Sequence, residues 1–293
     1  MHITILSGGI SEREVSLLSG EAVKKAILHL GHDVKLMNIN NEDVFSIKNL
    51  NTDLIFNALH GGIGENGIIQ SFFEVKGLPY TGSGVLASAL AMNKVFSKKI
   101  FKSVGISIAE GINGPVGKLI NSNSLKYPYI AKPIDGGSSV NINLIKDDAD
   151  KSNVIGLKDE VLIEPFIEGR EVSVAIFNGD VIGMIEIIYP EKLYDYAAKY
   201  SSNNTKYIFP IDLNKNIQSL LYENALKAHK SLGCKGLTRA DFRLDSNNNF
   251  SPILLEINTL PGLTSHSLVP KIFKNAGIDF VKLIAMIIKD AFN

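Results

Sequence analysis

Residues 236–258 read GLTRADFRLDSNNNFSPILLEIN, two apolar-alternating runs separated by the turn-rich Asp245-Ser-Asn-Asn-Asn249. Run, turn and run in that order predict an antiparallel hairpin. Side chains alternate faces along a strand, so Arg239, Asp241 and Arg243 share one side of the first strand. Glu256 and Asn258 share one side of the second. Two carboxylates and an amide oxygen are hard donors of the kind Mg²⁺ takes, and the flanking arginines suit a site that also handles anions. The same pattern also describes a polar sheet face laced with ion pairs, and spacing alone leaves both readings open.

Upstream of the hairpin, REVSVAIFNGDVIGMIEII (170–188) repeats the signature, with Asn-Gly-Asp as its turn. VLIEPF (161–166) and YPYIAKP (127–133) are further strands, the latter ending in Lys132 just before the loop Asp135-Gly-Gly-Ser-Ser139. Glycines let backbone N–H groups close on phosphate oxygens, serines add hydroxyl donors, and lysine adds a point charge. Beyond Glu164, the run Pro165-Phe-Ile167 offers main-chain groups to a purine edge, with Glu171 placed to accept from ribose hydroxyls. A surface glutamate would look the same. Residues 190–210, PEKLYDYAAKYSSNNTKYIFP, are polar and Tyr-rich between prolines and predict a long surface loop. Two helices are expected to close the chain, from Asn214 to Gly233 and from about Val281 to Phe292.

The first ninety residues have a different grammar. HITILS, HDVKLMNI, TDLIFNAL and LPYTG are short strands alternating with helical stretches at 11–31 and 67–77, as in βαβ units. This predicts a parallel sheet with helices on both faces and ligand loops at the strand C-termini. Ser11 with Glu14 three residues on has the form of a capping box for the first helix. Gly82-Ser-Gly84-Val-Leu-Ala87 matches a dinucleotide fingerprint, but the acidic residue about 20 positions later is missing. Those glycines serve instead to turn a strand tightly into a helix.

Composition narrows the class. Lys plus Arg is 30 and Asp plus Glu is 30, so the chain lacks the net basic charge a nucleic-acid-coating protein uses. Only four of the 30 bases are arginine: Arg13, Arg170, Arg239 and Arg243. A single cysteine, Cys234, excludes an internal disulfide framework and fits a reducing cytosol. MHITILSGG reads as a strand rather than a leader, and the apolar run Leu283 to Ile288 is too short to span a bilayer. A cytoplasmic protein with no membrane partner is expected.

Eight stretches together resemble the D-alanine–D-alanine ligases of the ATP-grasp superfamily: SEREVSLLSG, HGGIGENGIIQ, LPYTGSGVLASALAMNK, AKPIDGGSSV, EGREVSVAI, YDYAAKY, GLTRADFRLD and LEINTLPGLTSHSLVP. They occur in family order with matching spacing. The resemblance implies a mixed α/β and α+β fold. A Rossmann-like domain over 1–94 would precede a two-part ATP-grasp fold over 95–182 and 183–293, with a lid at about 190–210. It implies ATP and two Mg²⁺ ions, with Mn²⁺ a substitute, two D-alanine molecules as substrates, and a homodimer. Glu12 resembles the carboxylate that holds the first substrate's ammonium, and His60 a contact to that substrate. Lys94, Lys132, Ser138 and Ser139 correspond to phosphate ligands, and Glu164, Ile167 and Glu171 to adenine and ribose contacts. Asp241, Glu256 and Asn258 correspond to the metal ligands. Arg239 and the Gly262 N–H would face a tetrahedral oxyanion, and Ser267 with the Leu268 N–H would bind the second substrate's carboxylate. Lys199 and Tyr200 fall in the lid, and a tyrosine there, bridging Glu12 and Ser138, implies dipeptide rather than ester synthesis. Three departures stand out. Asn93 stands where relatives often carry Asp, Pro165 removes a backbone donor from the adenine hinge, and Arg243 stands where some relatives place an apolar residue under the base, open to stacking on the adenine or to pairing with a carboxylate. Another carboxylate–amine ligase, or a non-catalytic nucleotide-binding regulator on this fold, would carry much of the same pattern. Intact Lys132, Arg239, Asp241, Glu256 and Asn258 argue against the regulator.

Overall fold

The computed structural model describes residues 1–9, 11–40, 50–120, 126–137, 141–154, 160–190 and 204–292. The N-terminal part is a parallel sheet of β1 (His2–Gly8), β2 (Asp33–Ile39) and β3 (Leu54–Asn57) in the order β2-β1-β3, with α1 (Arg13–His29) between the first two strands. Alternation along β1 sorts the core: Ile3 and Ile5 pack with Val23 and Ile27 of α1 on one face, while Leu6 faces Ile69 and Phe73 of α2 (Ile68–Lys76) on the other. Helices therefore cover both faces, as the sequence predicts. The expected fourth strand at LPYTG is reduced to a single bridge between Ile55 and Tyr80. The capping box is not formed. Glu12 itself is the N-cap of α1 and makes no side-chain cap bond, because the chain enters the helix one residue later than Ser11 would require.

Gly84 caps α3 (Val85–Met92), and Asn93 caps α4 (Lys94–Ser103) by accepting from the Val95 and Phe96 N–H groups. The amide thus performs the capping that an aspartate offers at the same position. Next come β4 (Ile112–Pro115), the single-turn α5 (Val116–Leu119), β5 (Tyr129–Pro133), β6 (Asn143–Ile145) and β7 (Glu160–Pro165), which form an antiparallel sheet in the order β4-β7-β5-β6. This sheet has its own core around Tyr129, Val161 and Ile163.

A second antiparallel sheet contains β8 (Gly169–Phe177), β9 (Asp180–Ile188), β10 (Lys206–Ile208), β11 (Leu237–Asp245) and β12 (Ser251–Asn258), ordered β10-β9-β8-β11-β12. A boundary at residue 182 would pass inside β9. The first sheet ends at Pro165, and the strands from Gly169 onward belong to the second. The polar stretch 190–210 is not wholly loop: Lys206–Ile208 pairs with Glu186–Ile188 at the sheet edge. The remainder of that stretch, 191–203, lies outside the described residues, and with it the expected lid, Lys199 and Tyr200. Ser138 and Ser139 also lie outside them.

Helix α6 (Lys215–Ser231) packs with α3 and α4 on one face of the second sheet. On its other face, α7 (Leu268–Asn275) and α8 (Phe280–Asp290) join Ile3, Phe56 and Ile27 of the N-terminal part in one continuous apolar cluster. The two regions share a core, so the loops after β1 and β3 are held over the second sheet. The sequence predicts two closing helices; α7 is an additional one. Its third residue is Pro270, which is tolerated in a first turn where the N–H has no intrahelical partner.

Candidate active site

One cleft is lined by both antiparallel sheets and by the loops above β1 and β3. Its floor is the predicted hairpin. β11 and β12 pair Arg239 with Asn258 and Asp241 with Glu256, so all four side chains share a face. A bulge then intervenes: Phe242 pairs with Leu254, leaving Leu255 as the extra residue, which lines the cleft while Leu254 stays in the core. Simple alternation would put Leu254 on the side of Glu256. The Arg239 guanidinium clasps Asp241 through Nε at 2.8 Å and Nη2 at 2.7 Å, a two-pronged charged pair. Ser173, opposite Asp241 on β8, donates its hydroxyl to the same carboxylate at 2.5 Å. Asn258 Oδ1 accepts from the Leu260 N–H at 2.9 Å, which fixes the amide's orientation.

The lysines stand across from this floor. Lys94 opens α4, donates to the Gly136 carbonyl at 2.6 Å, and lies 3.9 Å from Glu256. Lys94, Lys132, Gly136, Gly137 and Glu256 line one small recess off the cleft, which brings two of the four expected phosphate residues, Lys94 and Lys132, beside the Gly-rich loop. Burial pushes the Lys94 ammonium below its ordinary pKa, with Glu256 opposing the shift. Lys132 contacts the Glu164 carboxylate, whose second oxygen is 2.8 Å from Lys98. The Glu164 side chain thus serves two lysines, and the sequence reading missed Lys98. Its position i+4 to Lys94 in the Lys-rich stretch KVFSKKIFKS of α4 places both on one helix face, which was the available signal. Burial would raise the Glu164 carboxyl, but Lys132 and Lys98 pull it below the usual glutamate value.

A carboxyl held low by its partners stabilises the folded state above the ordinary glutamate pKa, near 4.5, and loses that contribution as pH falls through the folded value. Glu164→Gln leaves two buried ammonium groups without their counter-ion and is expected to cost about 3–5 kcal/mol. Thermal denaturation between pH 3 and 7 tests this. The wild type is expected to lose stability more steeply below about pH 4.5 than the variant does. Parallel curves would contradict the assignment.

At one end of the cleft, Phe166, Ile167, Glu171, Tyr189 and Arg243 form a polar network. Arg243 donates to the Ile167 carbonyl at 3.1 Å, to Glu171 at 3.3 Å and to the Tyr189 hydroxyl at 2.7 Å, with its guanidinium carbon 5.5 Å from the centre of the Phe166 ring. Tyr189 donates to Glu171 at 2.6 Å. Burial, then the neighbouring Glu171 charge, raises the tyrosine pKa, so it stays a neutral donor. The sequence left Arg243 open between stacking and carboxylate pairing; here it pairs with Glu171 and braces the hinge. Register across β9, β8 and β11 produces this network, and no local motif announces Tyr189.

Gly169 begins β8 beside this end with φ +145°, and a Cβ there would lie 1.8 Å from the Leu244 carbonyl oxygen, so only glycine fits.

At the other end, Glu12 is buried against two glycine backbones: a Cβ on Gly137 or Gly61 would lie 2.9 or 3.2 Å from its carboxylate oxygen. His60 Nε2 is 2.9 Å from the Ser19 hydroxyl, and Nδ1 is 3.7 Å from Glu65. Ser19 also accepts from the Leu263 N–H at 3.3 Å, tying α1 and His60 to the backbone after Gly262. A Cβ on Gly262 would meet the Ser267 hydroxyl at 2.7 Å. Ser267 is the N-cap of α7 and makes no side-chain cap bond; its hydroxyl is held by Thr264 at 2.8 Å. Glu12, His60, Gly262, Ser267 and Leu268 all line the same cleft as Lys132, Glu164, Ile167, Glu171, Arg239, Asp241, Glu256 and Asn258. Two of the four arginines lie elsewhere: Arg13 donates to Gly9 and Asn40, and Arg170 forms a two-pronged pair with Glu186.

Family models described as D-ala D-ala ligase C-terminus and D-ala D-ala ligase N-terminus match residues 117–289 and 41–83. A D-alanine–D-alanine ligase from Pelagibacter ubique is 45% identical, covering 99% of this chain and 97% of the relative. One from Wolbachia pipientis wMel is 43% identical, covering 99% and 94%. Among solved structures, the D-alanine–D-alanine ligase from Bacillus anthracis complexed with ATP superposes with a TM-score of 0.84 at 30% identity, covering 100% of this chain and 97% of that one. The VanG D-Ala:D-Ser ligase from Enterococcus faecalis gives 0.83 at 28%, covering 99% of each. On these matches the chain belongs to the D-alanine–D-alanine ligase family, ATP-grasp enzymes that join two D-alanine molecules using ATP.

Proposed function

We propose the following division of labour for the ligation of two D-alanines to D-alanyl-D-alanine, a peptidoglycan precursor. ATP lies along the cleft with its base and ribose at Ile167 and Glu171 and its phosphates toward Lys94, Lys132 and the Gly136–Gly137 backbone. With Pro165 lacking an N–H and the Ile167 carbonyl taken by Arg243, the Ile167 N–H is the donor assigned to the base. Glu12 and His60 hold the first D-alanine, its ammonium against the buried carboxylate.

The carboxylate oxygen of that D-alanine attacks the γ-phosphorus, ADP departs, and a D-alanyl phosphate results. The second D-alanine docks its carboxylate on Ser267 and the Leu268 N–H at the α7 N-terminus, where the helix dipole favours an anion. Its free amine attacks the acyl carbon, Arg239 and the Gly262 N–H stabilise the oxyanion, and inorganic phosphate leaves with the carboxylate oxygen that had bridged carbon and phosphorus, the amine's proton ending on the phosphate. Ser138, Ser139, Lys199 and Tyr200 enter this reading from sequence alone.

Asp241, Glu256 and the Asn258 amide oxygen fit divalent magnesium or manganese. They are hard oxygen donors brought to one face by register, beside the phosphate recess. Among the described residues no group of three or more His, Cys, Asp and Glu side chains could hold a metal, so the set depends on the amide. When bound, such ions neutralise phosphate charge and favour in-line transfer. We further propose a cytoplasmic homodimer, as the family resemblance implies; no described helix is long and apolar enough to cross a membrane.

The observation that supports this reading most is that one cleft gathers Glu12, Lys132, Arg239, Asp241, Glu256 and Ser267. The test is phosphate release from ATP with D-alanine, against L-alanine as control. Release with D-alanine alone is expected. Equal release with L-alanine, or none with either, removes the reading.

A further inference from the structure

We propose that Lys271 is a positioning residue for the acceptor subsite, holding the loop that carries Ser267; this rests on Ser267 and the Leu268 N–H being the acceptor's carboxylate binders. Lys271 sits one turn into α7, and its ammonium folds back to donate to the His266 carbonyl and, at 3.2 Å, to the Ser265 carbonyl. Ser265 and His266 are the outer, exposed part of the loop between Gly262 and Ser267. The inner part fastens itself: Ser267 donates its N–H to the Thr264 carbonyl at 3.1 Å, and the Thr264 N–H donates to the Ser267 hydroxyl at 3.1 Å. The lysine supplies anchors for the outer part.

The ammonium also lies 4.6 Å from the centre of the Tyr207 ring on β10, a cation–π contact to a side chain packed on the main core. Lys271 therefore ties the acceptor loop to the second sheet. Burial lowers its pKa to about 8, because the two carbonyls and the ring face replace part of its water.

Local helix energetics oppose a lysine here. A cation in a first turn adds to the positive end of the helix dipole, and α7 has no acidic residue in that turn to offset it. What disfavours the helix favours the proposed ligand, since the same charge adds to the field that draws a carboxylate to the Ser267–Leu268 end. The inference is that Lys271 fixes where that carboxylate is received and leaves the phosphoryl-transfer end alone.

The test is the full chain as Lys271→Met, Lys271→Arg and Ser267→Ala, assayed for the two D-alanine KM values, the ATP KM and kcat, with thermal melting alongside. Lys271→Met is expected to raise the acceptor KM about tenfold while the ATP KM moves less than about twofold, the size of one lost charged hydrogen bond. Lys271→Arg, which keeps the charge and the donors, is expected to recover to within about threefold. If Lys271→Met does not fold, Lys271→Arg and Lys271→Gln are compared instead, with arginine expected to hold the acceptor KM closer to wild type. An acceptor KM unchanged in every Lys271 variant overturns the inference, as does a uniform fall in kcat with no KM split. Ser267→Ala separates the two levels. If it raises the acceptor KM while the Lys271 variants do not, only the inference falls; if it leaves that KM unchanged, the subsite reading falls.

Discussion

Arg239→Met is expected to lower kcat by roughly 10²–10³-fold, the usual cost of losing one preorganised oxyanion donor in a closed site. The guanidinium is 13% exposed in its side chain, is held in one orientation by two bonds to Asp241, and lines the cleft within the span from Glu12 to Ser267. Because the oxyanion appears only after the acyl phosphate is attacked, the loss is expected in kcat and in kcat/KM together, with the ATP KM little changed. Arg239→Lys keeps the charge without the planar fork and is expected to recover only part of the rate. The substitution also unpairs Asp241, which retains its bond from Ser173, so some loss of thermal stability is expected. Steady-state kinetics with melting curves check both. A variant that melts normally yet turns over at the wild-type rate would remove Arg239 from the mechanism.

Glu256→Gln is the second large effect. It replaces a charged oxygen donor with a neutral one, and it removes the carboxylate that opposes the burial-lowered pKa of Lys94 at 3.9 Å. Both consequences weaken the grip on a polyphosphate. Even residues that merely orient metal ligands cost 10–100-fold, so a proposed ligand is expected to cost about 100-fold or more in Mg²⁺-dependent turnover. The required Mg²⁺ concentration is expected to rise as well. Lys94 is expected to titrate lower than in the wild type, because the carboxylate that opposes its burial is gone. Far-UV circular dichroism separates this from unfolding, since Glu256 is one-third exposed and sits at no core position. An unfolded variant would mark Glu256 as structural, and a Mg²⁺ titration identical to wild type would exclude it as a ligand.

What could be read from the sequence follows the range of the forces involved. The hairpin 236–258 was legible because a turn and a period of two are local properties; they put Arg239 with Asp241, and Glu256 with Asn258, on one side of their strands, and the pairing register then joins the two sets on one face. The bulge at Leu255 was not, since it depends on which register lets both Leu254 and Phe242 reach the core. α7 was obscured by Pro270 and a Ser-rich approach that read as loop. Lys98 could be seen beside Lys94 on a helix face, but not that Glu164, on the strand paired with that of Lys132, would lie between the two lysines. Arg13 and Arg170 illustrate the converse. Each neighbours a proposed ligand residue in sequence, yet each braces the scaffold through Asn40 or Glu186. Adjacency along a chain does not fix direction in space. The motif blocks carried the family because each keeps several positions at once, whereas the Tyr189–Arg243–Glu171 network arises only from strand pairing.

The central claim is that this cleft activates one D-alanine as an acyl phosphate and then lets a second displace the phosphate. D-alanine labelled with ¹⁸O in its carboxylate tests that directly, by mass spectrometry of the phosphate released in the presence of unlabelled ATP. Each labelled donor is expected to pass one ¹⁸O atom to phosphate, because the oxygen that attacks phosphorus leaves with it. Phosphate free of label, formed together with D-alanyl-D-alanine, would contradict the account.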